Sequence, residues 1–246
     1  MTVRNLLLKI QYDGTLYHGY QIQPNVPTIQ GVIEEKLSRI TKEEIHVNGC
    51  SRTDSGVHAV EYALSFNTVF PIPAERLPIV LNNSLPNDIR ALSCEEVAPD
   101  FHARFCTISK TYRYIINQEA VPDIFSRNYQ WQLMRKLDIQ SMREACSYIV
   151  GEKDFKCFMT SGTDVETTVR CVNSLDVINA GNNVEIYINA NGYLYNMVRI
   201  IAGTLVNVGI GKYSPGYVKD IIDSKSRDNA GPTAPPQGLA LYRVYY

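Results

Sequence analysis

The sequence predicts an α+β protein with two ferredoxin-like β-α-β-β-α-β halves, whose mainly antiparallel sheets are joined side by side around a central cleft. Segments that alternate between apolar and polar residues, as strands do, are interleaved with segments that have the 3.6-residue period of helices. The same order of segments occurs twice along the 246 residues. The connection at 98–109 is not a Gly/Ser linker, so we expect the halves to pack rigidly.

The first half, 1–104, is predicted to begin with a strand and to close with another. Its elements are, in order, a strand at 6–12, a helix at 29–40, strands at 44–47 and 60–66, a helix at 77–85 and a strand at 89–97. Thr28 is placed to cap the first helix. Pro78 is compatible with the second helix only in its first turn.

The second half, 105–246, repeats this order with one additional helix. Its elements are a strand at 111–117, a helix at 139–150, strands at 169–177 and 184–190, a helix at 194–208, a shorter helix after Ser214-Pro215 and a strand at 239–245. The repetition is one of pattern, because no residue-level repeat accompanies it.

Composition indicates a cytoplasmic globular protein. The N-terminus lacks the pattern of a signal peptide, and no apolar run approaches the roughly 20 residues that a membrane helix needs. Six cysteines without C-x-x-C spacing indicate neither a zinc site nor a disulfide framework. The 24 Lys and Arg against 25 Asp and Glu give a net charge of −1, so a nucleic-acid partner would require a local basic site.

A polar loop between two extended segments carries the chemistry of the first half. It reads Gly49-Cys50-Ser51-Arg52-Thr53-Asp54-Ser55-Gly56-Val57-His58-Ala59 and is longer than a hairpin turn requires. Asp54 can simply cap its own backbone, as Asp commonly does in loops. Alternatively, the guanidinium of Arg52 keeps Asp54 ionised and available as a covalent nucleophile.

The loop resembles the G-R-T-D-A-G-V-H-A motif of the tRNA pseudouridine synthase A family. Ser51 and Ser55 depart from it as small-for-small replacements, and Tyr20 stands where a second motif has Trp. Seven motifs of the family match in the correct order, which makes an accidental likeness far less probable than a single match would. The other six lie at 12–21, 82–89, 101–105, 110–114, 195–199 and 238–239.

The resemblance implies isomerisation of uridine to pseudouridine at positions 38 to 40 of the tRNA anticodon stem-loop. The reaction breaks the N1–C1′ bond and rejoins the uracil through C5, and it requires no redox cofactor, nucleotide or metal. The resemblance makes Asp54 the nucleophile, attacking either C6 of the base or C1′ of the ribose. It also implies a homodimer that holds the tRNA body as well as the stem-loop, with no membrane partner.

The resemblance further implies roles for residues of both halves. Arg52 and Arg199 would pair with Asp54 in a dry pocket, and Leu239 would line the floor of the uracil site. Tyr112 would stack on the extruded base and relay the C5 proton, although a strand tyrosine can also simply pack. The remaining candidate substrate contacts are His58, Arg104, Lys110, Arg113 and Arg170. His58 is expected mainly to orient the loop.

Three other functions compete with this interpretation. A non-catalytic RNA-binding module would have no use for a carboxylate facing anionic RNA. A nucleoside hydrolase or glycosidase usually pairs two carboxylates, and no second acid lies in these motifs. A synthase of this family with a shifted RNA target stays open, because the segment 161–164 matches the family poorly.

Overall fold

A computed structural model describes residues 2–162 and 165–246, so Thr163 and Asp164 of the poorly matched segment lie outside the described residues. The chain forms two compact units. One runs to Ile108 and includes Leu241–Tyr246, and the other is Ser109–Ala240. The sequence placed the division after residue 104, four residues earlier, and did not anticipate that the last residues belong to the first unit.

Between residues 2 and 108, the first unit has four strands and two α-helices in the predicted order. They are β1 (Arg4–Tyr12), α1 (Ile29–Thr41), β2 (Asn48–Gly49), β3 (His58–Thr68), α2 (Leu77–Asn82) and β4 (Ile89–Val97). The strands lie in the order β4-β1-β3-β2, and every neighbouring pair is antiparallel. This order, in which β3 separates β1 from β2, is the split β-α-β arrangement of the ferredoxin-like unit.

Helix α1 shows how local chemistry sets the element bounds. The Thr28 side chain accepts a hydrogen bond from the Gly31 N–H, which confirms the predicted cap. The helix ends at Thr41, and the next residue, Lys42, takes the left-handed conformation. The extended segment at 44–47 is not a strand, because its backbone binds α1 side chains instead of a neighbouring strand. Ile45 N donates to Ser38 Oγ at 3.0 Å, and Val47 N donates to Glu34 Oε1 at 2.9 Å.

The second unit repeats this topology with two short additional strands. Its elements are β5 (Ser109–Asn117), β6 (Trp131–Gln132), α3 (Ile139–Ile149), β7 (Gly151–Asp154), β8 (Val169–Ala180), β9 (Asn183–Ala190), α4 (Met197–Gly209) and α5 (Tyr217–Ser224). β5 pairs with β9, β9 with β8 and β8 with β7, all antiparallel, and β6 joins β5 in parallel. The α+β class is therefore confirmed. A last strand, β10 (Leu239–Tyr245), begins in this unit and ends in the first.

Helix α4 is the most buried element of the second unit. Each of its residues is buried except Arg199, which is half-buried. The helix starts at Met197 instead of the predicted residue 194, because Asn196 takes a left-handed conformation with φ of 61°. With 13 residues it is about 20 Å long. Within 2–162 and 165–246, no helix is long and apolar enough to cross a membrane.

Candidate active site

Asp54 lies on the connection between β2 and β3, where its side chain is half-buried. The start of this connection is fixed by β3. Cys50 N donates to Ala63 O at 2.9 Å, and the Tyr62 hydroxyl donates to the Ser51 carbonyl. The Asp54 carbonyl accepts from Val57 N at 3.2 Å, which closes the turn at the carboxylate. The loop therefore holds Asp54 in a defined position.

A second segment, 12–20, braces this loop from the side, and we call it the brace. The Tyr12 hydroxyl and Thr53 Oγ1 are 2.7 Å apart, and Tyr20 N donates to Thr53 O at 3.1 Å. The Tyr17 carbonyl accepts from Gly56 N at 3.3 Å and from the Ser55 hydroxyl at 3.2 Å. Bonds on both sides of Asp54 thus join the brace to the loop.

Two glycines of the brace permit this close approach. A Cβ at Gly14 would lie 2.0 Å from the Val57 carbonyl oxygen. A Cβ at Gly19 would lie 2.7 Å from Thr53 O, and Gly19 has φ of +87°, a conformation that other residues rarely adopt. The sequence offered only the spacing of these glycines in the 12–21 motif, and their role in holding the Asp54 loop was missed.

His58 lies inside the first unit and faces the brace. Its Nδ1 accepts a hydrogen bond from Gly14 N at 3.0 Å and lies 3.1 Å from Asp13 Oδ1. The residue is only 6% exposed. His58 therefore packs against the brace, while its orienting role and its contact with a substrate stay predictions.

A third motif, 82–89, is joined to the brace through Asp88. The Tyr17 hydroxyl donates to Asp88 Oδ1 at 2.7 Å, and Asp13 N donates to Asp88 O at 2.8 Å. Burial and the adjacent Asp88 carboxylate raise the pKa of Tyr17 above its ordinary value, so the phenol remains a donor. Three separate motifs of the sequence therefore form one hydrogen-bonded support.

Tyr20, which replaces the family's Trp, is a packing residue. It is 3% exposed, and its ring stacks on Tyr62 with centroids 4.4 Å apart. Gly49 lies against both rings, since a Cβ there would be 2.2 Å from the Tyr62 hydroxyl oxygen. Tyr20 therefore packs beside Gly49 at the start of the loop.

Arg52 lies on the same loop as Asp54. Its side chain is exposed, and it forms no ion pair with any residue that the structure describes. The guanidinium is consequently accessible to an anionic ligand.

In the second unit, Tyr112 is held on β5 by another aromatic ring. It is 6% exposed and meets Tyr193 edge to face, with centroids 4.9 Å apart and an interplanar angle of 83°. The Tyr193 hydroxyl is within hydrogen-bonding distance of the carbonyls of Lys110 at 2.7 Å and Ile188 at 2.9 Å. The Tyr112 ring is thus supported by a residue that is itself fixed to two strands.

Arg199 is positioned by backbone and amide groups of the same unit. Its Nε donates to Ala234 O at 2.8 Å, and its Nη1 donates to Asn196 Oδ1 at 2.7 Å. Asn196 in turn donates to Thr160 Oγ1 at 3.0 Å. The arginine on the apolar helix therefore has a carbonyl and an amide as partners, and its planar group has a defined orientation. Its pairing with Asp54 stays a prediction.

The segment that carries Leu239 is anchored beside Arg199. Ala234 N donates back to the Arg199 carbonyl at 3.1 Å, and the Tyr114 hydroxyl donates to Pro235 O at 2.7 Å. Gly238 packs on the Tyr114 ring so closely that a Cβ would lie 2.7 Å from it. Leu239 follows, buried at 5% exposure. The structure brings two of the predicted site residues, Arg199 and Leu239, to one anchored region of the second unit.

The other candidate cations differ in how available they are. Lys110 is buried and Arg104 is exposed. Arg113 is half-buried and hydrogen-bonds to Tyr187. Arg170 is half-buried, donates to Thr167 O at 2.9 Å, and has its pKa lowered by burial. Of these four, Arg104 is the most accessible to a phosphate.

The fold of two ferredoxin-like units thus carries a half-buried carboxylate, Asp54, on a braced loop. A profile of the tRNA pseudouridine synthase family matches residues 9–106 and 145–246. The tRNA pseudouridine synthase A 2 of Clostridium perfringens is 48% identical over 99% of this chain and 100% of its own. The tRNA pseudouridine synthase A of Bacillus subtilis is 44% identical over 96% of this chain and 97% of its own. The chain therefore belongs to the tRNA pseudouridine synthase A family, a family of isomerases.

Substitution of Gly19 by Ala should impair catalysis more than stability. Both Gly19 and Gly181 have positive φ, at +87° and +71°, but only Gly19 faces the Asp54 loop, while no atom lies within 4 Å of a Cβ at Gly181. Gly181→Ala therefore measures the cost of the backbone conformation alone, roughly 1 to 2 kcal/mol. We expect Gly19→Ala to lower kcat for pseudouridine formation at least tenfold because it displaces the loop. Thermal unfolding measures the loss of stability in each variant, and turnover measures the loss of kcat. Equal losses of kcat in Gly19→Ala and Gly181→Ala would contradict this prediction.

Proposed function

We propose that the protein isomerises uridine to pseudouridine at positions 38 to 40 of the tRNA anticodon stem-loop, with Asp54 as the nucleophile. The observation that carries the proposal is the half-buried Asp54 carboxylate, held by the brace in a chain of this family. A loop bonded on both sides of the carboxylate is preorganised for attack, which lowers the entropic part of a barrier.

The chemistry requires a carboxylate and a base that has left its stack. Asp54 adds to C6 of the uracil or to C1′ of the ribose, and the N1–C1′ bond breaks. The uracil turns, a C5–C1′ bond forms, and the bond to Asp54 breaks to regenerate the carboxylate. The C5 proton is released, and N1, which has lost its bond to C1′, takes up a proton. The atoms balance without an oxidant or a metal. A stacked uridine is out of reach of the carboxylate, so the target must be extruded from the RNA.

The two arginines have distinct parts in this proposal. Arg52, exposed on the loop, contacts the RNA phosphate. Arg199, held by Ala234 and Asn196, offsets negative charge that develops on the reacting base. Leu239 provides an apolar contact to the uracil. Lys110, Arg113 and Arg170 are further candidate contacts to the RNA.

Asp54→Asn should abolish turnover while leaving RNA binding intact. The amide has nearly the same shape but is a far poorer nucleophile, so we expect tritium release from tRNA transcripts containing [5-³H]uridine to fall below detection. The matched control is Asp220→Asn, an exposed residue of α5. Release by Asp54→Asn at the wild-type rate would refute the nucleophile. Tight binding without release by the wild type would favour an RNA-binding module instead.

The two roles of Tyr112, stacking and proton relay, can be separated. Tyr112→Phe keeps the ring against Tyr193 but removes the hydroxyl, so we expect it to lower kcat with little change in Kd for tRNA. Tyr112→Leu removes the ring and should also weaken binding, by roughly 5- to 140-fold for one lost stacked base. Wild-type kcat in Tyr112→Phe, measured by single-turnover tritium release, would leave stacking as the only role.

We also propose that the protein acts as a homodimer. Between β5 and α3, the second unit exposes several large apolar side chains: Val121 (79%), Ile124 (63%), Phe125 (85%), Tyr129 (48%) and Met134 (57%). Apolar patches of this kind commonly mark protein interfaces. A second copy would also double the phosphate contacts available to a chain with a net charge of −1.

Sedimentation velocity tests this proposal. We expect the wild type to sediment as a dimer at micromolar concentration, and Phe125→Asp to shift it toward the monomer because a charge would be buried in the interface. A wild type that remains monomeric throughout this range would contradict the proposal.

A further inference from the structure

We propose that the tip of the segment 102–105 is a stacking platform for an unpaired base of the RNA substrate, outside the residues that act on the target uridine. The platform consists of the Phe105 ring with His102 and Arg104 against it. The proposal rests on the proposed function in one respect, namely that the ligand is RNA.

The Phe105 ring is exposed although its chemistry favours burial. It is 75% exposed, whereas Phe66, Phe155 and Phe158 are at most 2% exposed. A phenylalanine side chain in water forgoes the favourable transfer of its ring out of water. An exposed ring of this size is therefore available to a partner that can cover it.

Two neighbouring side chains give the ring the character of a nucleobase site. The His102 ring lies 4.3 Å from the Phe105 ring at an interplanar angle of 34°. The Arg104 guanidinium carbon is 5.6 Å from the Phe105 centroid, within the range of a cation–π contact. RNA-binding proteins use this combination, with aromatic faces for unstacked bases and a guanidinium for the stack or its phosphate.

The backbone beneath the platform is fixed to the core of the first unit. Ala103 is fully buried, and its N–H donates to Ser65 Oγ at 3.1 Å. Its carbonyl accepts from Thr107 Oγ1 at 2.7 Å and from the Tyr246 hydroxyl at 2.9 Å. His102 Nδ1 accepts from Arg104 N at 3.1 Å. Because the tip is already ordered, little conformational entropy is lost when a base stacks on it.

The size of the exposed apolar surface favours a base over a protein. The segment exposes two large apolar side chains, Phe105 and, at 67%, Ile108. An aromatic side chain contributes about 150 to 250 Å², well below the roughly 800 Å² per partner of a stable protein interface. One nucleobase matches the Phe105 face, and the exposed Arg104 complements the charge of RNA.

The test measures binding of the full-length variants to an unmodified tRNA transcript at several salt concentrations. We expect Phe105→Ala to weaken binding roughly 5- to 140-fold, without changing the slope of log K against log salt, because no ionic contact is lost. Phe105→Trp should restore binding, since it retains an aromatic face. Arg104→Ala should instead reduce the slope by about one. The control is Ile79→Ala on α2, which is 67% exposed.

Two results would overturn the platform. One is binding by Phe105→Ala within twofold of the wild type. The other is a change of oligomeric state in Phe105→Ala, seen by sedimentation velocity, while the RNA affinity of each binding site is unchanged. That result would make the tip a protein interface. Pseudouridine formation by the wild type is scored separately. A wild type that binds RNA through Phe105 but makes no pseudouridine would reject the proposed function and keep the platform.

Discussion

The contact between the brace and the Asp54 loop is the constraint on which the candidate site depends. It joins segments about 40 residues apart through backbone groups that could not approach if Gly14 or Gly19 carried a Cβ. The Tyr12–Thr53 and Tyr20–Thr53 bonds hold the residue next to Asp54, and the Tyr17 carbonyl holds Ser55 and Gly56. A carboxylate in a loop would otherwise sample many positions, and conformational entropy would be lost each time it reacts.

In the second unit, hydrogen bonds likewise fix a functional side chain, here that of Arg199. Arg199 lies on a helix that is buried along almost its whole length, where an arginine without partners would be costly. It binds the Ala234 carbonyl and the Asn196 amide, and the Ala234 N–H bonds back to Arg199 O. These bonds place the segment leading to Leu239, so one arginine orients its own charge and also fixes an apolar residue of the proposed uracil site.

The distribution of exposed groups explains how a protein of net charge −1 can serve an RNA substrate. Several of its cations are engaged internally, as Arg170 and Arg199 are, whereas Arg52 and Arg104 are exposed on loops that the first unit holds rigidly. Focused positive charge at ordered loops favours specific docking over broad attraction to any polyanion. The exposed Phe105 ring adds a contact that does not depend on charge.

The sequence by itself determined the class and the order of the major elements, and it selected Asp54 as the candidate nucleophile. The Thr28 cap, β4 and β10 have the predicted bounds, because capping and alternation are local properties of neighbouring residues. The short strands β6 and β7 were missed, since two and four residues are too few to show a period. The extended segment at 44–47 was mistaken for a strand because alternation cannot reveal that Glu34 and Ser38 take its backbone N–H groups. Only the tertiary structure decided how Asp54 is braced and how Arg199 is held, because those contacts join residues distant in sequence whose approach depends on packing.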